Sequence, residues 1–437
     1  MEYQEIDYNS FLEYIKEKNS SFLCGNGFSI NFDSCYSLNA LTKRLWNTHC
    51  HVENYRNYDV VSNPTHKYVF EENFKLVCKA LKEIKSEKDF SAMFSCAVDF
   101  ANSLITNQQA LDWLDENNYK SSLVFGLNRI DLVSFISEQA KQNGDMFVNY
   151  EYWSVLIYYI LALQEAPTSV YLLDESNIFI KAVLIGGTNI FYDNSEQNIL
   201  MNVACNGMYT YLRFLFTSNI LLDGKSYNVI KLEKWNVYDI QTIKKFLLNF
   251  NYLITTNYDQ LLERITERKV SHLHGSYSRD KKRVMSESLG MLYDGIRYDL
   301  TSAVIGDYFL AKTFLSVVTK LSAQNSQNTP TETYSQILDR IIRDDKSNLI
   351  VIFGLNIDND YHLLRDIQIY LGEKSIVNPQ IIYCYYSECD KDSFKSAYEK
   401  CLTYSTELTK SIQENVVVSV ISSKKILENI FIQKNDK

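Results

Sequence analysis

Tyr8, Phe11, Leu12 and Ile15 recur at i, i+3, i+4 and i+7, which puts them on one face and predicts a helix over residues 5–18. The uninterrupted apolar run Ser21-Phe22-Leu23-Cys24 reads instead as a short buried strand running into Gly25-Asn26-Gly27. From about residue 41 to 245 the spacing is mostly helical, as near 67–85, 89–106, 150–164 and 195–218, with no repeat and no sustained alternation of apolar and polar residues. The pattern changes near residue 250. Tyr252–Thr255 predicts a strand, a helix carrying Leu261, Leu262 and Ile265 follows, and Val270–Leu273 predicts another strand. Residues 322–331 are polar and aperiodic and predict an exposed loop. Asn348–Phe353 is apolar throughout, as in a strand covered on both faces, and ends at Gly354; a helix is expected from about Asp360, with that aspartate as its cap. Ile381–Tyr386 and Val416–Ile421 are two further apolar strands.

Strands alternating with helices predict an α/β fold with a Rossmann-like parallel sheet. The first strand lies more than 200 residues before the second group. Residues 1–40 and 246–437 are therefore expected to form one discontinuous domain, with 41–245 as a large, mainly helical insertion or cap.

Composition narrows the class. With 46% hydrophobic and 22% charged residues, the 437-residue chain can bury a large core, and it is not of the disordered type. A net charge of −9 argues against broad nucleic-acid binding. The longest uncharged apolar stretch, Tyr152–Leu163, is too short for a bilayer span, which needs about 20 residues, so a buried helix and no membrane association are expected. The first residues lack the features of a secretory signal, and nine scattered cysteines suit reduced thiols, so a cytoplasmic location is expected.

Four short motifs could carry chemistry. Gly25-Asn26-Gly27-Phe28-Ser29 follows a strand, where glycines let backbone approach a phosphate. It lacks the third glycine of the dinucleotide fingerprint, Ile30 standing in that place, and no second strand ending in an acid follows, which disfavours a hydride-transfer enzyme. Thr255-Thr256-Asn257-Tyr258-Asp259 places hydroxyl, amide and carboxylate groups at another strand end; taken alone, helix capping by Asn257 with Asp259 in the first turn is the favoured explanation. His274-Gly275 offers a general base, since free imidazole titrates near pH 6.5, or simply a structural histidine. Gly354-Leu355-Asn356, followed by Asp360-Tyr361-His362, suits a tight turn as well as a binding loop.

Their joint order is more informative than any one of them. Gly25-Asn26-Gly27-Phe28-Ser29, Thr255-Thr256-Asn257-Tyr258-Asp259, His274-Gly275 and Gly354-Leu355-Asn356 resemble, in the same order, the G-A-G-x-S, T-Q-N-x-D, H-G and G-T-S motifs of the sirtuin-like family. The chain looks most like its divergent bacterial branch, the NAD-cleaving effectors of antiviral (anti-phage) defence that act by abortive infection. The resemblance covers roughly residues 20–40 and 250–420.

It implies a sirtuin-like fold and an NAD hydrolase that breaks the nicotinamide–ribose bond. Asn257, His274 and Asp259 are the implied catalytic residues. Gly25, Asn26, Gly27, Phe28, Ser29, Thr256, Gly354 and Asn356 would hold NAD, here the substrate. The two C-x-x-C pairs of the family's deacylases are absent, residues 276–353 containing no cysteine, so no metal is expected and the acyl-lysine groove is in doubt. The alternatives are ADP-ribosyl transfer or deacylation at the same crevice, and a non-catalytic NAD- or ADP-ribose-binding regulatory module. An NAD-consuming enzyme needs restraint, so an activating partner protein, a nucleotide or phage trigger, or assembly into a homo-oligomer is expected to act through the helical region.

Overall fold

The computed structural model describes residues 3–52, 64–117, 123–125, 128–130, 132–148, 152–187, 202–203, 206–212, 215, 237–257, 259–274, 277–280, 283–286, 290–293, 296–299, 334–357, 360–402 and 405–434. The expected loop at 322–331 and most of the expected helix at 195–218 lie outside these residues.

Seven strands form one sheet: β1 (Gln4–Glu5), β2 (Ser20–Cys24), β3 (Tyr252–Thr255), β4 (Ser271–His272), β5 (Leu349–Phe353), β6 (Gln380–Tyr385) and β7 (Val417–Ser422). Their order is β1-β7-β6-β5-β2-β3-β4, and every pairing is parallel. The apolar runs read from the sequence are six of these seven strands; β1, two exposed polar residues, takes up the start of the stretch expected to be helical from residue 5, and the helix begins at Tyr8. Only the strand expected at Val270–Leu273 is shorter, two residues at the sheet edge. Between it and the next sheet strand the chain forms two antiparallel pairs, 277–280 with 283–286 and 290–293 with 296–299, which apolar patterning did not suggest.

Alternate strand residues feed two cores. Phe22, Cys24, Leu253, Leu349, Val351, Phe353, Ile382 and Ile421 point to one face. There they meet α1 (Tyr8–Glu17) and three helices later in the chain, spanning Ile240–Leu247, Leu261–Thr266 and Ser423–Ile430. Leu23, Ile254, Ile350, Ile352, Ile381, Tyr383, Val418 and Val420 point to the other face, toward the helices Tyr334–Asp339, Tyr361–Leu371, Glu388–Cys401 and Thr406–Asn415. This is a three-layer α/β/α arrangement, and burial on both faces explains why the strands read as continuous apolar runs.

A third core gathers helices of the middle of the chain, including α2 (Leu38–Val52), α3 (Pro64–Leu81), α4 (Glu87–Thr106), α5 (Gln108–Glu116), α6 (Leu132–Asn143), α7 (Trp153–Leu163) and α8 (Ile178–Ile185). Every described side chain from Tyr152 to Leu163 is buried, as its composition implied. A later helix, α9 (Ile240–Leu247), spans the domain boundary expected at 245/246. Its buried Ile240, Ile243, Phe246 and Leu247 all join the core under the sheet, so the helical middle gives way to the sheet layers before residue 240. No helix among the described residues is long and apolar enough to cross a membrane.

Candidate functional site

Strand register aligns the four motifs. Phe353 pairs with Cys24, Cys24 with Thr255, and Thr255 with His272, so four adjacent strands end at one level. The chain passes from β2 to β3 on one side and returns later to β5 on the other, which makes the carboxyl edge beside β2 the topological switch point, the usual place for a ligand in an open parallel sheet.

The loop after β2 is fastened to the loop after β5. Gly25 N donates to Phe353 O (3.0 Å) and Gly27 N to Gly354 O (2.8 Å). Gly354 has φ +61°, and a Cβ there would sit 2.7 Å from Gly27 C and Phe28 N. A Cβ on Gly25 would sit 2.6 Å from Gly354 O. These glycines therefore serve first to let two backbones touch. Phe28 N donates to Gly25 O (3.0 Å), so three amides of the expected phosphate loop are already engaged. The Phe28 ring, expected at the ligand, is fully buried among Phe22, Phe32, Phe353 and Phe431 and is a core residue. Asn26 is exposed and its side chain donates to Tyr36 O (2.8 Å). Asn356 is exposed at the far lip.

Asn257 is held from two sides. Its Nδ2 donates to Gly25 O (3.2 Å) and to Ser29 Oγ (3.0 Å). The carbonyl of Gly25 can only accept, which fixes the amide orientation and turns Oδ1 away as a presented acceptor. Ser29 Oγ donates in turn to Asp259 Oδ2 (3.1 Å), whose other oxygen accepts from Leu261 N (3.0 Å). Asp259 is buried, which pushes its carboxyl above the usual range against the pull of these donors. Expected to face the ribose, Asp259 is buried and spends its carboxylate on Ser29 and on the first N–H of the helix at Leu261–Thr266, whose N-cap is Gln260 and not Asn257. Thr256 is buried and donates its N–H to Cys24 O (3.1 Å).

A second brace acts on the Asn257 backbone. His272 Nδ1 lies 2.8 Å from Asn257 O and Nε2 lies 2.5 Å from Glu263 Oε1. Both neighbours are acceptors, so the arrangement favours the charged ring, in which both nitrogens donate. Burial opposes that charge, but the Glu263 carboxylate and the Asn257 carbonyl outweigh it and raise the His272 pKa.

His274, one residue past Leu273, faces elsewhere. Its Nε2 lies 3.4 Å from Asp360 Oδ1, and its ring stacks on His362 at 5.7 Å between centroids. Tyr334 meets the opposite partner of that stack edge-on, 4.9 Å from the His362 ring. Burial lowers the His274 pKa to about 3 and that of His362 well below the usual value, with the neighbouring His274 adding to the latter. Both rings are neutral at pH 7. Asp360 and His362 were legible as a helix start following the fourth motif, but their meeting with His274 was not; Asp360 is the N-cap residue of that helix but makes no capping bond with its side chain. The brace by His272 and Glu263 had no signal in the sequence, since the histidine comes from one element and the glutamate from another. Gly275 and Tyr258 lie outside the described residues. No family model, no curated protein and no solved structure matches the chain.

Proposed function

We propose that the chain cleaves the nicotinamide–ribose bond of NAD, as a regulated sirtuin-like hydrolase. The observation that carries this reading is the convergence of four motifs, far apart in sequence, at the carboxyl ends of β5, β2, β3 and β4. The leaving group departs as neutral nicotinamide from a cationic pyridinium, so the reaction needs a placed nucleophile and tolerance of an oxocarbenium-like transition state more than a strong acid. The fixed Oδ1 of Asn257 suits orienting a water or a ribose hydroxyl. Neutral His274 suits accepting the proton released, with Asp360 at 3.4 Å to favour the imidazolium that forms. Asp259, Ser29 and His272 are positioning residues behind Asn257. Depletion of NAD in anti-phage defence, under control of a partner, a nucleotide or assembly, is the role proposed for this chemistry.

Nicotinamide released from NAD, measured with and without candidate triggers, tests the reading. His274→Ala and Asn257→Ala should each abolish release while the fold persists; wild-type rates in both would overturn it. The second reading, a non-catalytic NAD- or ADP-ribose-binding module, is favoured by the same burial that makes His274 a weak base. Saturable NAD binding without nicotinamide release under any trigger would select it.

A further inference from the structure

We propose that His274, Asp360 and His362 form a site for a divalent transition metal of the zinc type, and that its occupancy switches off the chemistry assigned to His274. The second half rests on the NAD reading; the first does not.

The three side chains are buried, and one ligand atom from each lies within 4.8 Å of the others. They come from two separate segments: His274 follows β4, while Asp360 and His362 open the helix Tyr361–Leu371 that follows β5. Around a tetrahedral ion with bonds of about 2.0–2.2 Å, ligand atoms stand about 3.3–3.6 Å apart. The His274 Nε2–Asp360 Oδ1 separation of 3.4 Å is that of one such edge. It is also too long for a hydrogen bond of ordinary strength. His274 Nε2 is buried with no hydrogen-bond partner among the described residues, and it points toward the carboxylate. A buried polar atom in this state carries a desolvation cost that a metal ion would relieve.

The donor set is right for the ion. Two imidazoles and one carboxylate match borderline metals such as zinc, and three protein ligands leave a fourth position for water. Coordination uses the Nε2 lone pair of His274, the same pair that would accept a proton from the nucleophile. A bound ion and a working base therefore exclude one another.

The test uses the full chain, stripped with chelator and then titrated with Co²⁺ and with Zn²⁺. The expected result is one ion per chain by elemental analysis and a cobalt spectrum of nitrogen and oxygen ligands. His362→Gln and Asp360→Asn should each weaken Zn²⁺ binding by more than the roughly 10–100-fold attached to outer-sphere partners. Stoichiometric zinc should depress nicotinamide release by wild type at least about 100-fold, as loss of a general base does. The absence of stoichiometric metal, undiminished binding by both variants, or a cobalt spectrum dominated by thiolate charge transfer would overturn the site. Metal bound with full NAD cleavage would overturn the switch. A chain that binds the metal but, once stripped of it, cleaves no NAD under any trigger would overturn the NAD reading and leave the metal site standing.

Discussion

Gly354→Ala tests how the site is held together. Two costs are visible at this position. The backbone has φ +61°, which costs an alanine about 1–2 kcal/mol. The new Cβ would also stand 2.7 Å from Gly27 C and Phe28 N, about 0.7 Å inside the 3.4 Å of ordinary contact, and both obstacles are backbone. Overpacking of this kind costs about 1–3 kcal/mol, so the expected loss is about 2–5 kcal/mol. Gly27→Ala separates the two costs, because Gly27 has no positive φ while its Cβ would meet Gly354 Cα at 2.7 Å. It should lose only the packing part, about 1–3 kcal/mol. Gly354→Asn tolerates the left-handed backbone but not the collision, so it should also lose at least about 1 kcal/mol. Urea unfolding followed by circular dichroism measures all three, with stability compared at constant m-value. The structure predicts further that each variant shifts the Ser29 loop that holds Asn257, lowering any NAD cleavage beyond its effect on folded fraction. A Gly354→Asn protein within about 0.5 kcal/mol of wild type, the range of neutral surface changes, would refute the backbone-to-backbone latch.

Three further outcomes follow from the braces and the buried histidines. His49, His274 and His362 are neutral when folded, with burial lowering the first two to about 4 and about 3, yet each binds a proton near pH 6.5 when unfolded. The contribution of these three should therefore be full above pH 6.5 and fall below it, each histidine adding a slope of about 1.4 kcal/mol per pH unit until the pH nears its own folded value. Asp259, with its raised pKa, opposes the trend as the pH approaches its ordinary value, and His272, raised instead, loses its contribution as pH climbs above 6.5. His274→Gln should flatten the acid limb of denaturation midpoints by one histidine's share; an unchanged limb would contradict the assigned burial. Glu263→Gln should cost about 1.5–3 kcal/mol and lower the His272 titration observed by NMR, and a His272 midpoint that does not move would remove the second brace. Ser29→Ala should cost about 1–2 kcal/mol and reduce nicotinamide release more than NAD affinity, since it removes one of the two anchors of the Asn257 amide without touching Oδ1; an equal loss in both would place Ser29 at the ligand instead.

Local pattern determined much of the architecture. Leu349–Phe353 and Ile381–Tyr385 are continuous runs of apolar and aromatic residues because a parallel strand is buried on both faces. The stripe of Tyr8, Phe11, Leu12 and Ile15 likewise dictated α1. The four polar strand ends were legible as candidates for the same reason: a strand end is a local event.

What each candidate does was decided by tertiary structure. Phe28 belongs to a ligand loop by sequence but to the core by position, because the sheet brings Phe22, Phe353 and Phe431 around it. Asp259 became a brace for Ser29, 230 residues away, and His272 found Glu263 on a neighbouring helix. His274 met Asp360 and His362 only because β5 and β4 flank β2 and β3 in one sheet. Hydrophobic periodicity records which face of an element is covered and says nothing of which element covers it. Side-chain partners hundreds of residues apart are set by strand order and register, and these exist only once the sheet has formed.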